Sequence, residues 1–182
     1  MGYWIFLAIT ALELGYEVRV SRRNSAELLR RGAVDVAPAI LPLMTTLYAA
    51  MYAGAALEFH LRGGILSPLT FAAFLALYVA GKGLKFWAVT SLGGYWTMKV
   101  LVVPGSKVVT RGPYRYVRHP NYIAVLMEIA GTTLAGNAWI TCAVILALFS
   151  IVLYYRIRSE EQALAGHTDY TEAMAAKRRF LP

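Results

Sequence analysis

Tyr122 to Tyr155 reads YIAVLMEIAGTTLAGNAWITCAVILALFSIVLYY. Two apolar runs, at about 122–135 and 138–155, flank Gly136-Asn137, a turn signal. Each run approaches the ~20 apolar residues that a membrane span requires, so the stretch predicts a tight hairpin of spanning helices. Polar residues crowd both flanks. Before the hairpin, Arg111 to Tyr122 reads RGPYRYVRHPNY, and after it Arg156 to Tyr170 reads RIRSEEQALAGHTDY. Only one hairpin separates the two polar segments, so they are expected to meet at one membrane face. Chemistry belongs where they meet.

The rest of the chain has the same character. Hydrophobic residues make up 58% of the 182 residues and charged residues 15%, and the mean hydropathy is +0.52. A soluble domain has about 45–50% apolar and about 25% charged residues. Three further apolar runs lie at about 3–16, 36–59 and 66–89. The expected fold is therefore all-α, a single domain over 1–182 that is a polytopic membrane protein with about five transmembrane helices. The first run is short and carries Glu13, but it lacks a basic leader and a small-residue cleavage site, so it is expected to be a retained span. Pro38 and Pro42 sit near the start of the second run, and Ser67-Pro68 marks the start of the third.

Charge sets the expected topology. Every Lys and Arg except Arg62 falls after the first run, around the end of the third and its long following segment, or in the C-terminal part. Under the positive-inside rule this predicts an outside N-terminus, a cytoplasmic C-terminus and a site facing the cytoplasm. The net charge of +8 then reflects basic flanks that attract anionic membrane lipid, and no nucleic acid partner is expected. Cys142 is the single cysteine, which excludes a disulfide framework. His60, His119 and His167 are scattered, and no metal site is expected.

Within the first polar segment, Gly112-Pro113 predicts a turn. Pro120 restricts His119 to extended backbone and suits the first turn of a following helix. That helix start, with Arg118 and His119 beside it, is suited to a carboxylate or phosphate. Arg118, His119 and Tyr122 are read as functional, and Arg111 and Arg115 as membrane anchors. In the second segment, Arg156 with Glu160 and Arg158 with Glu161 have the spacing of surface ion pairs. The adjacent acids Glu160 and Glu161 suit ribose hydroxyls or an ammonium. Gly166 is expected to stop the helix, and Asp169 with Glu172 resembles a capping box. Intramembrane Glu128 carries an insertion cost of roughly 2.5–3.5 kcal/mol if unpaired. It is expected to line a substrate cavity or orient Arg118 or a tyrosine, with a structural buried pair as the alternative. Glu13, Glu17 and Glu58 are expected at solvated span ends, and Trp87, Trp96 and Trp139 in the aromatic belt.

Arg118-His119-Pro120-x-Tyr122, an apolar hairpin, then Glu160-Glu161-x-x-Leu164, Tyr170 and the closing Lys177-Arg178-Arg179-Phe180-Leu181-Pro182 resemble the isoprenylcysteine carboxyl methyltransferase family. The resemblance extends upstream through Leu92-Gly93-x-x-Trp96, Val108-x-x-Arg111-Gly112-Pro113-Tyr114-Arg115, Arg23-Asn24 and Arg31-Gly32-Ala33-Val34, and most closely suggests the bacterial branch. It implies a membrane enzyme using S-adenosyl-L-methionine, bound by the last two spans and the C-terminal segment. The implied cofactor-binding residues are His119, Pro120, Tyr122, Tyr114, Glu160, Glu161 and Tyr170. Arg118, which would meet a cofactor or substrate carboxylate, and Glu128 are the candidates for catalysis.

The methyl acceptor implied is lipidic or prenylated, most like an isoprenylcysteine-type carboxylate. A lipidic phenol, pyrone or fatty acid meets the same amphipathic demand. A sterol-type membrane reductase with a nicotinamide cofactor carries a similar His-Pro-Asn-Tyr, but the brevity of the chain and the Glu160-Glu161 pair favour the methyltransferase. A non-catalytic scaffold or transporter would leave the polar clusters without a use.

Overall fold

Helix boundaries in the computed structural model, which describes residues 2–180, follow local chemistry. Five long helices are α1 (Gly2–Arg30), α2 (Ile40–Leu61), α3 (Pro68–Leu92), α4 (Pro120–Ala135) and α5 (Trp139–His167), followed by one turn of α6 (Tyr170–Ala173). Ser67 opens α3 with a capping box: its Oγ accepts from Thr70 N–H at 3.1 Å, and its own N–H donates to Thr70 Oγ1 at 3.0 Å. Pro120 begins α4 at the first turn, where a missing N–H costs nothing. Gly136-Asn137 makes the expected turn, with Asn137 at φ 59. Short strands β1 (Val34–Asp35) and β2 (Leu101–Val102) pair antiparallel beside the bundle.

The long helices alternate in direction. At one end Tyr3 packs on Phe59 at 4.6 Å and donates to the Thr132 carbonyl at 2.9 Å. At the other end the Asn24 amide donates to the Trp96 carbonyl at 2.8 Å, and Arg156 donates to the Met98 carbonyl at 2.7 Å. The N-terminus of α5 is capped across the bundle by Glu58, whose carboxylate accepts from Ile140 N–H at 3.1 Å and Thr141 N–H at 2.9 Å. Glu58 is thus held at a helix dipole rather than simply solvated, because two orphan N–H groups need an acceptor. Among the described residues, Arg62 is the one cation at the Tyr3–Phe59 end. The other Lys and Arg residues run from mid-bundle to the Trp96–Arg156 end.

Three segments are long and apolar enough to cross a membrane: Ile40–Leu61, Pro68–Tyr95 and Trp139–His167. The two other expected spans are helices of a different kind. Helix α1 runs to Arg30, well past the expected end near residue 16. Helix α4 has 16 residues, about 24 Å, and is buried along most of its length. It is wedged against α3 through small residues. A Cβ on Gly131 would lie 2.7 Å from the Tyr78 nitrogen, and one on Gly81 would lie 3.1 Å from the Ala124 carbonyl oxygen. Van der Waals packing of such close backbones is what associates helices where no water is left to expel.

An ion network crosses the same interface. Lys85 Nζ lies 2.6 Å from Glu17 Oε2 and 3.0 Å from Glu128 Oε2. Lys82 Nζ lies 2.9 Å from Glu17 Oε1, 3.4 Å from Glu13 Oε2 and 3.6 Å from Glu128 Oε1. Tyr78 donates to Glu13. Glu17 is therefore paired inside the bundle and Glu13 is paired at its edge, rather than both being solvated at span ends as expected. Two lysines four residues apart or less on α3 face them, a partner that no pattern within α1 reveals.

The close approach of α3 and α4 makes Gly131 the sharpest test of this packing. Gly131→Ala drives a methyl into fixed Tyr78 backbone and is expected to destabilise by about 1–3 kcal/mol. A thermal unfolding midpoint in detergent equal to wild type would show that the two helices are not seated this tightly.

Candidate active site

The two polar segments meet at the Trp96–Arg156 end. Helix α5 carries Arg156, Glu160 and Glu161 out of its apolar run, while His119 stands immediately before α4. A C-terminal strap closes the arrangement by backbone pairing. Arg118 N–H donates to the Arg178 carbonyl at 2.9 Å, and His119 N–H donates to the Arg179 carbonyl at 3.0 Å. Arg118 Nε adds a bond to the Lys177 carbonyl at 2.7 Å. Of the closing sequence run, Leu181 and Pro182 lie outside the described residues.

Glu161 joins these pieces. Its Oε1 accepts from His119 Nε2 at 3.0 Å and from the Tyr170 hydroxyl at 3.2 Å, and its Oε2 accepts from Arg179 Nη2 at 2.7 Å. Arg118 Nη1 stands 3.7 Å away. A carboxylate accepts only, so Nε2 is the protonated imidazole nitrogen. Burial by itself would raise the Glu161 carboxyl, but the bonds from His119 and Arg179 outweigh it and hold the group well below the usual carboxylate range. Burial and the same carboxylate push the Tyr170 phenol up, so it stays a donor. The expected Arg158–Glu161 surface pair does not form. Arg158 lies over the Tyr154 ring at 5.2 Å instead.

A second chain of contacts runs through Tyr122. Its hydroxyl donates to Glu160 and accepts from Arg156 Nε at 2.8 Å, and its ring stacks on His119 at 5.3 Å. Arg156 is buried, and it serves Tyr122 and the Met98 carbonyl rather than a surface pair with Glu160. Its position was legible in one respect: Phe149, Val152 and Leu153 are buried and lie on the helix face that Arg156 shares.

These groups line a cleft enclosing about 980 Å³, its open mouth included. Arg118, His119, Tyr114, Tyr122, Glu160 and Tyr170 all face it. Glu161 stands behind His119, and buried Pro120 starts the helix without lining the cleft. Trp96 and Asn121, which no motif singled out for chemistry, also line it. Trp96 is 4% exposed, so it is not part of an aromatic belt, whereas Trp87 and Trp139 are 47% and 54% exposed. The Trp96 indole Nε1 and the Asn121 Oδ1 are buried without a hydrogen-bond partner. An unpaired buried donor or acceptor costs about 1–3 kcal/mol, so each of these atoms calls for a partner, a water or a ligand.

A second space of about 950 Å³, its open side included and mostly apolar, lies between α1, α2 and α4. It shares Trp96, Thr97, Asn121, Tyr122 and Arg156 with the cleft. Glu128 lines neither space. Its carboxylate is taken by Lys85 and Lys82, so it does not orient Arg118 as expected, and the buried-pair alternative describes its surroundings. Asp169 likewise accepts from Val108 N–H at 2.8 Å instead of capping α6.

The sign of the Glu161 shift predicts an acid response. A carboxyl held low in the folded state contributes stability that is complete above its unfolded value of about 4.3 and is lost as pH falls below it. The thermal midpoint in detergent should therefore fall between about pH 5 and about pH 3 more steeply for wild type than for Glu161→Gln. Parallel curves would remove Glu161 as the anchor of the strap.

Comparison with known proteins places this constellation. Residues 74–166 match the isoprenylcysteine carboxyl methyltransferase (ICMT) family. The uncharacterized protein YpbQ of Bacillus subtilis is 30% identical over 166 residues, which span 91% of this chain and 98% of that protein. An uncharacterized protein of Haemophilus influenzae is 27% identical over 161 residues, spanning 88% of this chain and 92% of its own. The matched segment runs from α3 through the hairpin to Gly166 and so contains His119, Tyr122, Arg156, Glu160 and Glu161. The chain belongs to the isoprenylcysteine carboxyl methyltransferase family, a family of membrane-associated methyltransferases.

Proposed function

We propose that this chain is an S-adenosyl-L-methionine-dependent O-methyltransferase that acts on a lipidic acceptor at the cytoplasmic face of a bacterial plasma membrane. The observation that carries the reading is the wall shared by a polar cleft and an apolar cavity. A water-soluble methyl donor and a lipid acceptor need two differently solvated spaces that touch at the reacting atoms.

The residues present fit the donor. Cleft residue Glu160 suits ribose hydroxyls or an ammonium, Arg118 suits a carboxylate, and Tyr114, Tyr122 and Tyr170 give the cleft aromatic walls. Trp96 and Asn121 offer a free indole donor and a free amide acceptor at the same wall. When bound, the donor supplies a methyl group on a sulfonium. The protein's task is to hold the acceptor oxygen in line with that group and to exclude water. His119, fixed by Glu161, and Tyr122, fixed by Arg156, hold the polar side of the wall.

The acceptor's tail belongs in the apolar cavity, where Leu14 and Val18 of α1 face Leu41, Met44 and Tyr48 of α2. Entry between α1 and α2, sideways from the bilayer, leaves the tail out of water throughout. An isoprenylcysteine-type carboxylate arrives ionised and needs no base. A lipidic phenol or enol would pass its proton to the Tyr122–Glu160 pair, which stands in the shared wall and beside it.

Titration calorimetry with S-adenosyl-L-methionine tests the donor site. Wild type should bind, and His119→Ala and Glu160→Ala should each weaken binding by about tenfold or more while the protein remains folded. Absence of binding by wild type, or wild-type affinity in both variants, would overturn the assignment. Transfer of a labelled methyl group into a total lipid extract then identifies the acceptor.

Orientation has its own test. Five alternating helices and the gathering of cations at the site end predict a cytoplasmic C-terminus and an external N-terminus. Reporters fused to the two ends should read opposite sides. Two cytoplasmic readings would mean that α1 or α4 does not cross.

A further inference from the structure

A groove of about 630 Å³, its open side included, runs along the outer face of α4 and α5 at the site end. It belongs to neither cavity described above. Leu126, Leu153, Ile157 and Phe180 give it apolar walls, and two guanidinium groups, Arg158 and Arg179, line it as well. From Ser150 at one end to Arg158 at the other, α5 rises about 12 Å. We propose that this groove binds an anionic phospholipid, with one acyl chain along the apolar wall and the phosphate between Arg158 and Arg179.

The occupant follows from chemistry at the two ends of the groove. Exposed Tyr154 and Tyr155 sit one turn inside Arg158, the level that aromatic side chains take at a membrane interface. Arg158 then stands at headgroup depth. It makes no ion pair among the described residues, and its guanidinium rests on Tyr154. Arg179 spends Nε and Nη2 on Glu161, which leaves Nη1 without a partner among the described residues. Two guanidinium groups with N–H groups to spare suit a phosphate. A soluble anion would have no use for the apolar length. A second copy of this chain would bring its own basic end against the same cations.

Binding here also bears on the neighbouring site. Arg179 belongs to the strap that pairs with Arg118 and His119, so a phosphate on Arg179 sits directly against that strap. The lipid site itself does not rest on the methyltransferase reading.

The test uses the whole protein purified in detergent with equal amounts of phosphatidylglycerol and phosphatidylcholine. Native mass spectrometry reads which lipid stays bound. Wild type should retain phosphatidylglycerol preferentially. Arg158→Gln, at an exposed position outside the cleft, should lower that preference about tenfold, equivalent to about 1.4 kcal/mol. Ser150→Trp, also at an exposed position, should fill the groove and reduce retention of both lipids. Arg22→Gln, an exposed cation on α1 at the same end, should change nothing. Unchanged retention in Arg158→Gln or in Ser150→Trp overturns the proposal. An Arg22→Gln loss as large as that of Arg158→Gln does so too, since it would reduce the effect to general attraction by a basic surface.

Discussion

A charge in an apolar bundle must meet an opposite charge, a helix end or polar groups that hydrogen-bond to it, because hydrocarbon offers it nothing else. Glu13, Glu17 and Glu128 meet Lys82 and Lys85 across α1, α3 and α4. Glu58 meets the N-terminus of α5. Arg156 meets a tyrosine hydroxyl and a backbone carbonyl. These pairings fix which helices touch and in what register. Removing one partner leaves the other buried and uncompensated, which is costlier than replacing both. The network therefore specifies the arrangement more than it adds stability.

The same requirement builds the site. Where α5 leaves its apolar run, Glu161 is still partly covered and gathers His119, Tyr170 and Arg179 around it. In doing so it joins the start of α4, the end of α5, α6 and the C-terminal strap. Glu160, one residue earlier, points to Tyr122 and the cleft. Adjacent acids on a helix face directions about 100° apart, so one can organise the wall while the other faces a ligand. Their adjacency suggested a shared ligand-binding role, and the structure divides that work between them.

The two spaces also explain the shape of the chain. A polar cleft forms where helices end, because loops and straps bring backbone groups and long side chains. An apolar cavity forms between α1, α2 and α4, where aliphatic and aromatic side chains line it. Trp96 and Asn121 stand at the contact with unpaired polar atoms. Both residues line both spaces.

Much of this was determined by sequence alone. Apolar run lengths, Ser67-Pro68, Pro120 and Gly136-Asn137 set the helices, since caps, proline and turn residues act within a few positions of themselves. The family and the cleft residues Arg118, His119, Tyr122 and Glu160 followed from Arg118-His119-Pro120-x-Tyr122 and Glu160-Glu161, because the hairpin between them is short enough to fix their meeting. Tertiary structure decided what depends on a distant partner. Lys82 and Lys85 lie some 65 residues from the acids they neutralise on α1, so Glu13 and Glu17 looked like span-end solvation and Glu128 like chemistry. Arg156 and Glu160 have the spacing of a surface pair, yet burial turned Arg156 inward to Tyr122. Trp96 looked like belt, yet it is buried at the wall of both spaces. Local propensity is written residue by residue, but whether a polar side chain faces lipid, water or another charge is settled only when helices remote in sequence close around it.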